Sequence, residues 1–401
     1  MQRGDYLIRK TFYALITLIV VIIFNFFLFR ILPGDPVRAL IQNARMDHDA
    51  VDRIKAQFGL DKPIWFNFEG STVQVIASEV SLLAEPEAGS SVEHTASAGE
   101  RLNYEQRSED GQWILAARSN AEGSVTARGW APAESVKVSV NPLDSQFFVY
   151  MRNLLQGELG DSFAQRGVPV SELLAERVWR TVVLLVIGEV TAIVLGIMLG
   201  IVASWRRGSR LDTGIMLWGL FTWSIPTFFF GIILVILASG HLPTGRMVTV
   251  GLKPEDGWAY WADVGKHLIL PTITLGIGFT SSYMMVMRSS IVEVLSEDYI
   301  LTAKAKGLNT FQILRDHALK NAMLPMVTLI TLSLGYTVGG AIQVETVFSW
   351  PGVGRLIYDA VGDRDFPVLQ GAFLLIAISV IAANFLSDLL YSALDPRVKV
   401  E

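Results

Sequence analysis

Long apolar runs constrain this chain more than any other feature of its sequence. Several of them exceed the roughly 20 residues that a helix needs to cross the hydrocarbon core of a bilayer. Hydrophobic residues make up 51% of the 401 positions, and the mean hydropathy is +0.41. The sequence therefore predicts a polytopic membrane protein rather than a large soluble domain.

Six spans are predicted, which give an all-α membrane part with both termini on one side. They cover about residues 11–31, 178–204, 212–239, 267–287, 325–344 and 368–390. The first run is too long for a signal peptide, and it ends at Leu32-Pro33-Gly34-Asp35-Pro36 rather than at a small-residue cleavage site. We interpret residues 1–32 as the N-terminus with a retained first span, and residues 178–401 as a five-helix core.

A long polar stretch, residues 33–177, separates the first two spans. Its outer parts, residues 33–69 and 141–177, are predicted to be helical or irregular. The middle, residues 70–140, has short apolar segments divided by turn residues, a pattern typical of five or six short strands. We predict a small all-β barrel there. The barrel region is acidic, with eleven Asp and Glu against five Lys and Arg between residues 69 and 141.

Basic residues near the membrane indicate the orientation of the chain. Thirteen Lys and Arg fall on one side of the six predicted spans: in the N-terminus, in the 205–211 turn, in the 288–324 loop and in the tail. Cytoplasmic loops carry such an excess. Both termini and the 288–324 loop are therefore predicted to be cytoplasmic, and residues 33–177 extracytoplasmic.

The cytoplasmic segment 296–325 has the chemistry of a short helix pair. Ser296 can cap a first helix, and Gly307 can take the left-handed conformation that ends it. Asn309 or Thr310 can cap a second helix, predicted to end before Pro325. Because Ala303, Ala305 and Gly307 are small, another protein could approach closely, which favours a docking element. An ordinary amphipathic loop helix is the alternative.

The motifs of several enzyme classes are missing from the sequence. It contains no phosphate-binding Gly-x-x-x-x-Gly-Lys-Ser/Thr loop, no His-Glu-x-x-His, no Gly-x-Ser-x-Gly and no cysteine, and its five histidines are scattered. We therefore predict no enzyme, no catalytic residue and no metal site in this chain, and no nucleic-acid partner.

Two positions inside the spans suggest a role in transport. Glu189 is a carboxylate in the middle of the second span, and such residues are costly in lipid. It is either a proton-coupling site or a structural contact facing the bundle. Pro226 can kink the third span, although kinks also occur in static bundles.

Four motifs resemble the permease subunits of bacterial ABC importers, in the dipeptide, oligopeptide and nickel branch. They are Leu32-Pro33-Gly34-Asp35-Pro36, Phe58-Gly59-Leu60-Asp61-Lys62-Pro63, the run from Tyr299 to Leu308 followed by His317 to Pro325, and the run from Glu345 to Gly354. The order matches the first of the two permeases of such systems. The Glu-Ala-Ala of many importer loops reads Leu301-Thr302-Ala303 here.

The resemblance implies an importer, most commonly of peptides, in the bacterial inner membrane. A second permease subunit would complete a heterodimeric pathway, two ATPase subunits would bind ATP and Mg, and an external binding protein would deliver the substrate. The implied ATPase-docking residues are Asp298, Tyr299, Thr302, Ala303, Lys304, Ala305, Lys306, Gly307 and Leu308. Pathway or gate roles are assigned to Glu189, Pro226, Trp350 and Pro351. Membrane lipid is the remaining partner.

The predicted barrel is not part of the usual permease pattern. Ala98-Gly99-Glu100, Asp110-Gly111-Gln112-Trp113 and Gly129-Trp130-Ala131-Pro132 resemble a bacterial Src-homology-three-like domain. Such domains bind cell-wall peptide or protein surfaces, whereas Trp113 and Trp130 could instead be barrel core. A membrane-anchored cell-wall sensor is thus the alternative function, and a proton-coupled carrier that uses Glu189 is a third.

Overall fold

The computed structural model describes residues 3–31, 62–119, 125–165 and 167–394. The chain divides into two compact units, one of residues 26–171 and the other of residues 1–25 and 172–401. The motifs at residues 32–36 and 58–61, most of the predicted region 33–69 and the tail beyond residue 394 lie outside the described residues.

Eleven α-helices occur in the described part of the chain. They are α1 Arg3–Ile31, α2 Gln146–Leu155, α3 Val170–Trp205, α4 Arg210–Ser224, α5 Thr227–Ala238, α6 Trp258–Val294, α7 Asp298–Ala305, α8 Thr310–Ile313, α9 Leu319–Val347, α10 Val353–Asp363 and α11 Phe366–Leu394. A π-helical turn, Leu314–Ala318, joins α8 to α9.

Four of the described helices are long and apolar enough to cross a membrane. The qualifying segments are Ile8–Arg30 in α1, Val170–Trp205, Trp258–Val294 and Phe366–Leu389 in α11. The pair α4 and α5 passes the same test together and would be a fifth span if it crosses as one. The predicted fifth span falls within α9, several of whose side chains lie outside the described residues. A helical membrane protein is thus confirmed, and the count of six spans stays a prediction.

Pro226 breaks the third predicted span rather than kinking it. The axes of α4 and α5 differ by 101°. Ile225 is extended, with φ −87° and ψ 127°, because a residue that precedes proline avoids the helical region. The single helix predicted over residues 212–239 is therefore wrong, although the position of the disturbance is the predicted one.

Pro325 does not end a helix, contrary to the prediction. It lies inside α9, and the helical path runs from Thr310 through the π-turn to Val347. A proline removes one backbone hydrogen bond and crowds the preceding turn, but membrane helices tolerate this loss where neighbouring groups compensate. Pro271 lies inside α6 in the same way.

Glycines bring α3 and α6 close together. A Cβ atom at Gly200 would lie 2.6 Å from the Met287 Cβ and 2.8 Å from the Met284 carbonyl oxygen. One at Gly196 would lie 2.9 Å from the Thr280 carbonyl oxygen. Small residues four apart permit such close helix packing in lipid.

The strand-rich region forms one antiparallel sheet of seven strands. The strands are β1 Thr72–Val75, β2 Glu79–Leu83, β3 Val92–Ser97, β4 Arg101–Arg107, β5 Trp113–Ser119, β6 Val125–Pro132 and β7 Val136–Ser139. Their order is β3-β2-β6-β5-β4-β1-β7. A β-rich region is confirmed, but its closure into a barrel is not, because β3 and β7 remain as edges.

One face of the sheet carries its apolar core. Alternate residues of the strands are buried together, among them Val73, Leu82, Leu102, Ile114 and Ala131. Trp113 and Trp130 are half-buried and lie outside this core. Successive side chains of a strand point to opposite faces, so the neighbours Ile114 and Ala131 fill the core and the two tryptophans do not.

Candidate functional site

The predicted docking helix is present as α7, but Ser296 does not cap it. The Ser296 hydroxyl donates to the Glu293 carbonyl oxygen at 2.6 Å, and its backbone N–H bonds to the same residue. Ser296 therefore completes the last turn of α6. The extended residue before α7 is Glu297, so the predicted start is one residue early.

Gly307 ends α7 in the predicted left-handed conformation, with φ +81°. Two backbone bonds close the helix end: Gly307 N–H to the Lys304 carbonyl at 2.9 Å, and Leu308 N–H to the Ala303 carbonyl at 3.3 Å. This is the Schellman arrangement, which satisfies the last carbonyls of a helix and favours glycine at that position. The helix end is thus fixed by backbone geometry.

The inner face of α7 is held by a small apolar cluster. Ile300 and Ala303 are buried with Ile313 of α8, and Leu295 and Leu308 pack against them. Ala303 therefore faces the protein, and it does not contribute to an exposed small-residue surface. Ala305 and Gly307 are exposed.

The outer face of α7 carries most of the predicted docking residues. Those exposed are Asp298, Tyr299, Thr302, Lys304, Ala305, Lys306 and Gly307. The Tyr299 hydroxyl accepts a hydrogen bond from Asn321 Nδ2 at 2.7 Å, which ties the first turn of α7 to α9.

Two large apolar side chains are exposed beside these residues. Leu301 is 68% exposed, and Phe311 at the start of α8 is also exposed. Both were missed by the sequence argument. Leu301 stands in the family-like motif, and its position next to the buried Ile300 was the signal that could have placed it on the outer face.

Asn309 caps the second helix as predicted. Its side chain accepts from Gln312 N–H at 2.9 Å, and the Gln312 side chain accepts from Asn309 N–H at 2.9 Å. This reciprocal pair is a capping box. Further along, the hydrogen-bonded Arg315 guanidinium holds the pKa of the Asp316 carboxyl below its usual value.

An ion pair braces the helices next to the docking segment. Arg288 near the end of α6 donates to both carboxylate oxygens of Asp212 in α4, at 2.6 and 2.7 Å. Asp212 is buried and also accepts from Gly208 N–H at 3.0 Å. A two-pronged arginine–carboxylate contact fixes orientation as well as charge. No local sequence pattern indicates this pair, since 76 residues separate its members.

Glu189 lies in a buried polar contact between three helices. The Tyr283 hydroxyl of α6 donates to Glu189 Oε1, and Ser333 Oγ of α9 donates to the same oxygen at 2.6 Å. Glu189 is buried. Of the two interpretations of Glu189, this geometry matches the structural contact that faces the bundle. A gating role for Glu189 stays a prediction.

Trp350 and Pro351 belong to a second buried cluster. Trp350 is fully buried, and its indole N–H donates to the Arg180 carbonyl of α3 at 3.0 Å. Arg180 in turn donates to the Pro351 carbonyl at 3.4 Å. The structure therefore holds both residues against α3.

Glu345, at the start of the same motif, is the centre of this cluster. Its Oε1 accepts from Thr181 Oγ1 at 2.6 Å, and its Oε2 accepts from Arg355 N–H at 3.0 Å. Thr181 Oγ1 also accepts from Val353 N–H at 2.8 Å. A fully buried carboxylate thus joins α3, the end of α9 and the first turn of α10.

The two neighbours of Pro226, Ile225 and Thr227, line a cleft at the break between α4 and α5. This small cleft is lined by Phe221, Thr222, Ile225, Thr227, Phe230, Thr274, Ile277 and Gly278. Within the described residues no cluster of three or more His, Asp or Glu could hold a metal ion.

Comparison with known proteins gives two family matches. The profile described as "binding-protein-dependent transport system inner membrane component" matches residues 192–400, and the corresponding N-terminal profile matches residues 3–90. The chain is similar to a putative peptide permease protein of Brucella suis biovar 1 (strain 1330), at 41% identity over 262 residues, covering 65% of this chain and 81% of that protein.

Two further similarities were found. The dipeptide transport system permease protein DppB of Escherichia coli (strain K12) is 39% identical over 277 residues, covering 64% of this chain and 81% of that protein. A solved structure of the MetNI methionine ABC transporter, inward facing, covers 56% of this chain and 96% of the other, with a TM-score of 0.46 and 18% identity.

Proposed function

From the premise that this chain belongs to the family of binding-protein-dependent transport system inner membrane components, we propose that it is the first of two permease subunits in an ATP-driven peptide importer. The chain is a multi-pass inner-membrane permease. Peptide cargo is supported by relatives whose names are peptide and dipeptide permeases. The comparisons lend no support to the cell-wall sensor.

The observation that carries the proposed coupling role is the two-faced geometry of α7. Its inner face is fixed by Ile300 and Ala303, and its polar outer face is left open. Leu301 and Phe311 add apolar contact area to that face. A short helix held rigidly on one side and exposed on the other suits insertion into a groove of an ATPase subunit.

The same geometry supports a route for transmitting movement. Ile313 of α8 packs on α7, and the helical path continues from α8 through the π-turn into α9. Leu314, at the first position of that turn, is buried with Ala318, Met287 and Ile291 in a further cluster. A displacement of α7 would therefore move α6 and α9 as packed bodies.

The remaining subunits and the topology complete the proposal. Two ATPase subunits bind ATP and Mg, a second permease forms the other half of the pathway, and an external binding protein delivers the peptide. Six spans result if α4 with α5 is one span and α9 another. The charge asymmetry supports cytoplasmic termini and an extracytoplasmic stretch 33–177. The likeness of the sheet to a Src-homology-three-like domain stays a prediction.

Gly307→Arg tests the docking role. The left-handed φ of Gly307 disfavours any side chain with a Cβ, and arginine adds bulk on the exposed face. We expect loss of ATPase co-purification and of ATP-driven uptake of a labelled dipeptide, with unchanged membrane insertion. Co-purification at the native level would contradict the docking assignment.

Gly240→Arg is the matched control. Gly240 has φ +83°, and a Cβ there meets nothing within 4 Å among the described residues, as at Gly307. It follows α5 and lies outside the docking segment. The control should retain ATPase co-purification, because it carries the same backbone strain without altering α7.

A further inference from the structure

Ile64 and Trp65 form an exposed apolar pair beside the C-terminal end of α1. The Trp65 ring lies 5.1 Å from the Phe27 ring and 4.5 Å from the Phe147 ring, measured between centroids. Ile64 is 43% exposed and Trp65 is 39% exposed. Two large apolar side chains are therefore presented outward from an aromatic cluster built on the first span.

The contact with Phe27 fixes how deep this pair lies. The apolar segment of α1 ends at Arg30, three residues beyond Phe27, which is about 4.5 Å along a helix. Trp65 is therefore level with the last turn of a membrane span. The Arg30 guanidinium lies 5.3 Å from the centre of the Phe26 ring, as expected of a long cation at the membrane boundary.

The first span also exposes apolar side chains near this end. Phe24, three residues before Phe27, and Leu28, the residue after it, are exposed on α1. Tryptophan is enriched at the membrane–water boundary, where its ring sits among the headgroups. We propose that Ile64 and Trp65 insert into the headgroup region of the bilayer at the C-terminal end of the first span and anchor this part of the chain to lipid.

Hydrogen bonds connect the anchor residues to the start of α2. Gln146 N–H bonds to the Pro63 carbonyl at 3.0 Å, and Phe147 N–H bonds to the Ile64 carbonyl at 3.1 Å. Ser145 Oγ donates to the Trp65 carbonyl at 2.6 Å. The first turn of α2 is thus joined to the anchor, which sets α2 at the depth of the headgroups. The inference holds whichever side of the membrane this end of α1 occupies.

Spin labelling of single-cysteine variants tests the anchor directly, since the chain contains no cysteine. Ile64→Cys is compared with Phe24→Cys, a 64% exposed position within the span, and with Val92→Cys, a 55% exposed position on edge strand β3. The full-length chain is reconstituted, with the subunits that co-purify, in vesicles of phosphatidylethanolamine and phosphatidylglycerol. Collision rates of each label with oxygen and with a water-soluble nickel chelate are measured.

The anchor predicts that the label at position 64 collides several-fold more often with oxygen than with the nickel chelate, approaching position 24. Position 92 should show the reverse. Nickel collisions at position 64 equal to those at position 92 would overturn the proposal. Protection from both reagents would also overturn it, because a protein partner would then cover the site.

A second measurement leaves the exposed pair unlabelled. Quenching of tryptophan fluorescence by lipids brominated near the headgroup is compared between the native chain and Trp65→Phe. The difference reports Trp65 alone, and phenylalanine keeps the aromatic cluster filled. We expect a quenchable component that disappears in the variant, and its absence from the native chain would contradict the anchor.

Discussion

At the scale of single residues, the buried carboxylate of Glu345 depends on glycine. A Cβ atom at Gly352 would overlap Glu345 Oε1 and Thr181 Oγ1, and one at Gly354 would lie 2.9 Å from Glu345 Oε2. Only glycine leaves room for both carboxylate oxygens against the backbone that enters α10. The two glycines of Trp350-Pro351-Gly352-Val353-Gly354 therefore make room for the carboxylate of Glu345, the first residue of the motif.

Gly352→Ala should destabilise the chain by about 1–3 kcal/mol, the usual cost of overfilling a packed site. The control is Gly362→Ala at the other end of α10, where a Cβ meets nothing within 4 Å among the described residues. Alanine there should be neutral or slightly stabilising. Thermal unfolding in detergent measures both, and equal melting temperatures would contradict the close packing.

Local sequence predicted the conformation and capping role of single residues well. It did not predict contacts between residues that are distant in sequence. The left-handed Gly307 and the capping Asn309 follow from their immediate neighbours in sequence. Ser296 has the right side chain for a cap, but α6 extends far enough to use it. Thr181, the partner of Glu345 on α3, is 164 residues away, so no pattern in the motif itself could identify it.

At the scale of elements, neighbouring residues of α7 lie on different faces of the helix. One face packs against the protein, and the other is the proposed docking surface. Ile300 is buried and Leu301 is exposed. A helix advances 100° per residue, so neighbouring side chains can lie on different faces. The predicted surface of small residues combined residues from both faces, because Ala303 lies on the inner face and Ala305 is exposed.

Ile300→Asp and Leu301→Asp should therefore have different effects. Aspartate at position 300 places a carboxylate in an apolar cluster and should cost at least about 2 kcal/mol. Aspartate at position 301 should change stability by less than about 0.5 kcal/mol while weakening ATPase co-purification. Melting temperature and co-purification are measured on both variants; a native level of ATPase with Leu301→Asp would exclude Leu301 from the interface.

Prolines illustrate why helix boundaries were only partly predictable. At Pro226 the chain breaks by 101°, whereas α9 continues through Pro325. The residue type is the same, and the difference lies in the surroundings. Next to Pro325 the π-turn and α9 pack against α6 through Ala318, Ala322 and Met326, so tertiary packing keeps the helix intact.

At the scale of the whole molecule, the chain enters and leaves the sheet at neighbouring strands. β1 and β7 are antiparallel neighbours, with Thr72 opposite Ser139. Ser71 N–H also bonds to the Ser139 carbonyl at 2.9 Å. Opposed residues of antiparallel strands lie about 5 Å apart, so the chain leaves and re-enters at nearly one point.

Replacing residues 72–139 by a short Gly-Ser linker should therefore leave the rest of the chain folded. We expect membrane insertion and ATPase co-purification at native levels, measured in membranes and in detergent extracts. Loss of insertion would show that the sheet supports the folding of the spans. A linker placed inside the sheet, between β3 and β4, is the control that should disturb only the sheet.

Hydropathy located long apolar helices and the strand-rich region because both depend on regular patterns. Closure of the sheet did not follow from the pattern, since alternation gives the faces of strands but not which strands pair. The half-buried Trp113 and Trp130 show the same limit. Their aromatic side chains are typical of core positions, yet the apolar core lies on the opposite face of each strand.

The contact among Glu189, Tyr283 and Ser333 also bears on how the protein is made. Tyr283 follows Glu189 by 94 residues and Ser333 follows it by 144. At about 5–20 residues per second, the acid emerges roughly 5–20 s before its first hydrogen-bond partner. A lone carboxylate is expensive in lipid, so α3 should remain next to the insertion machinery until α6 arrives. The helices would then be held at the insertion machinery and released into the membrane together, not one at a time.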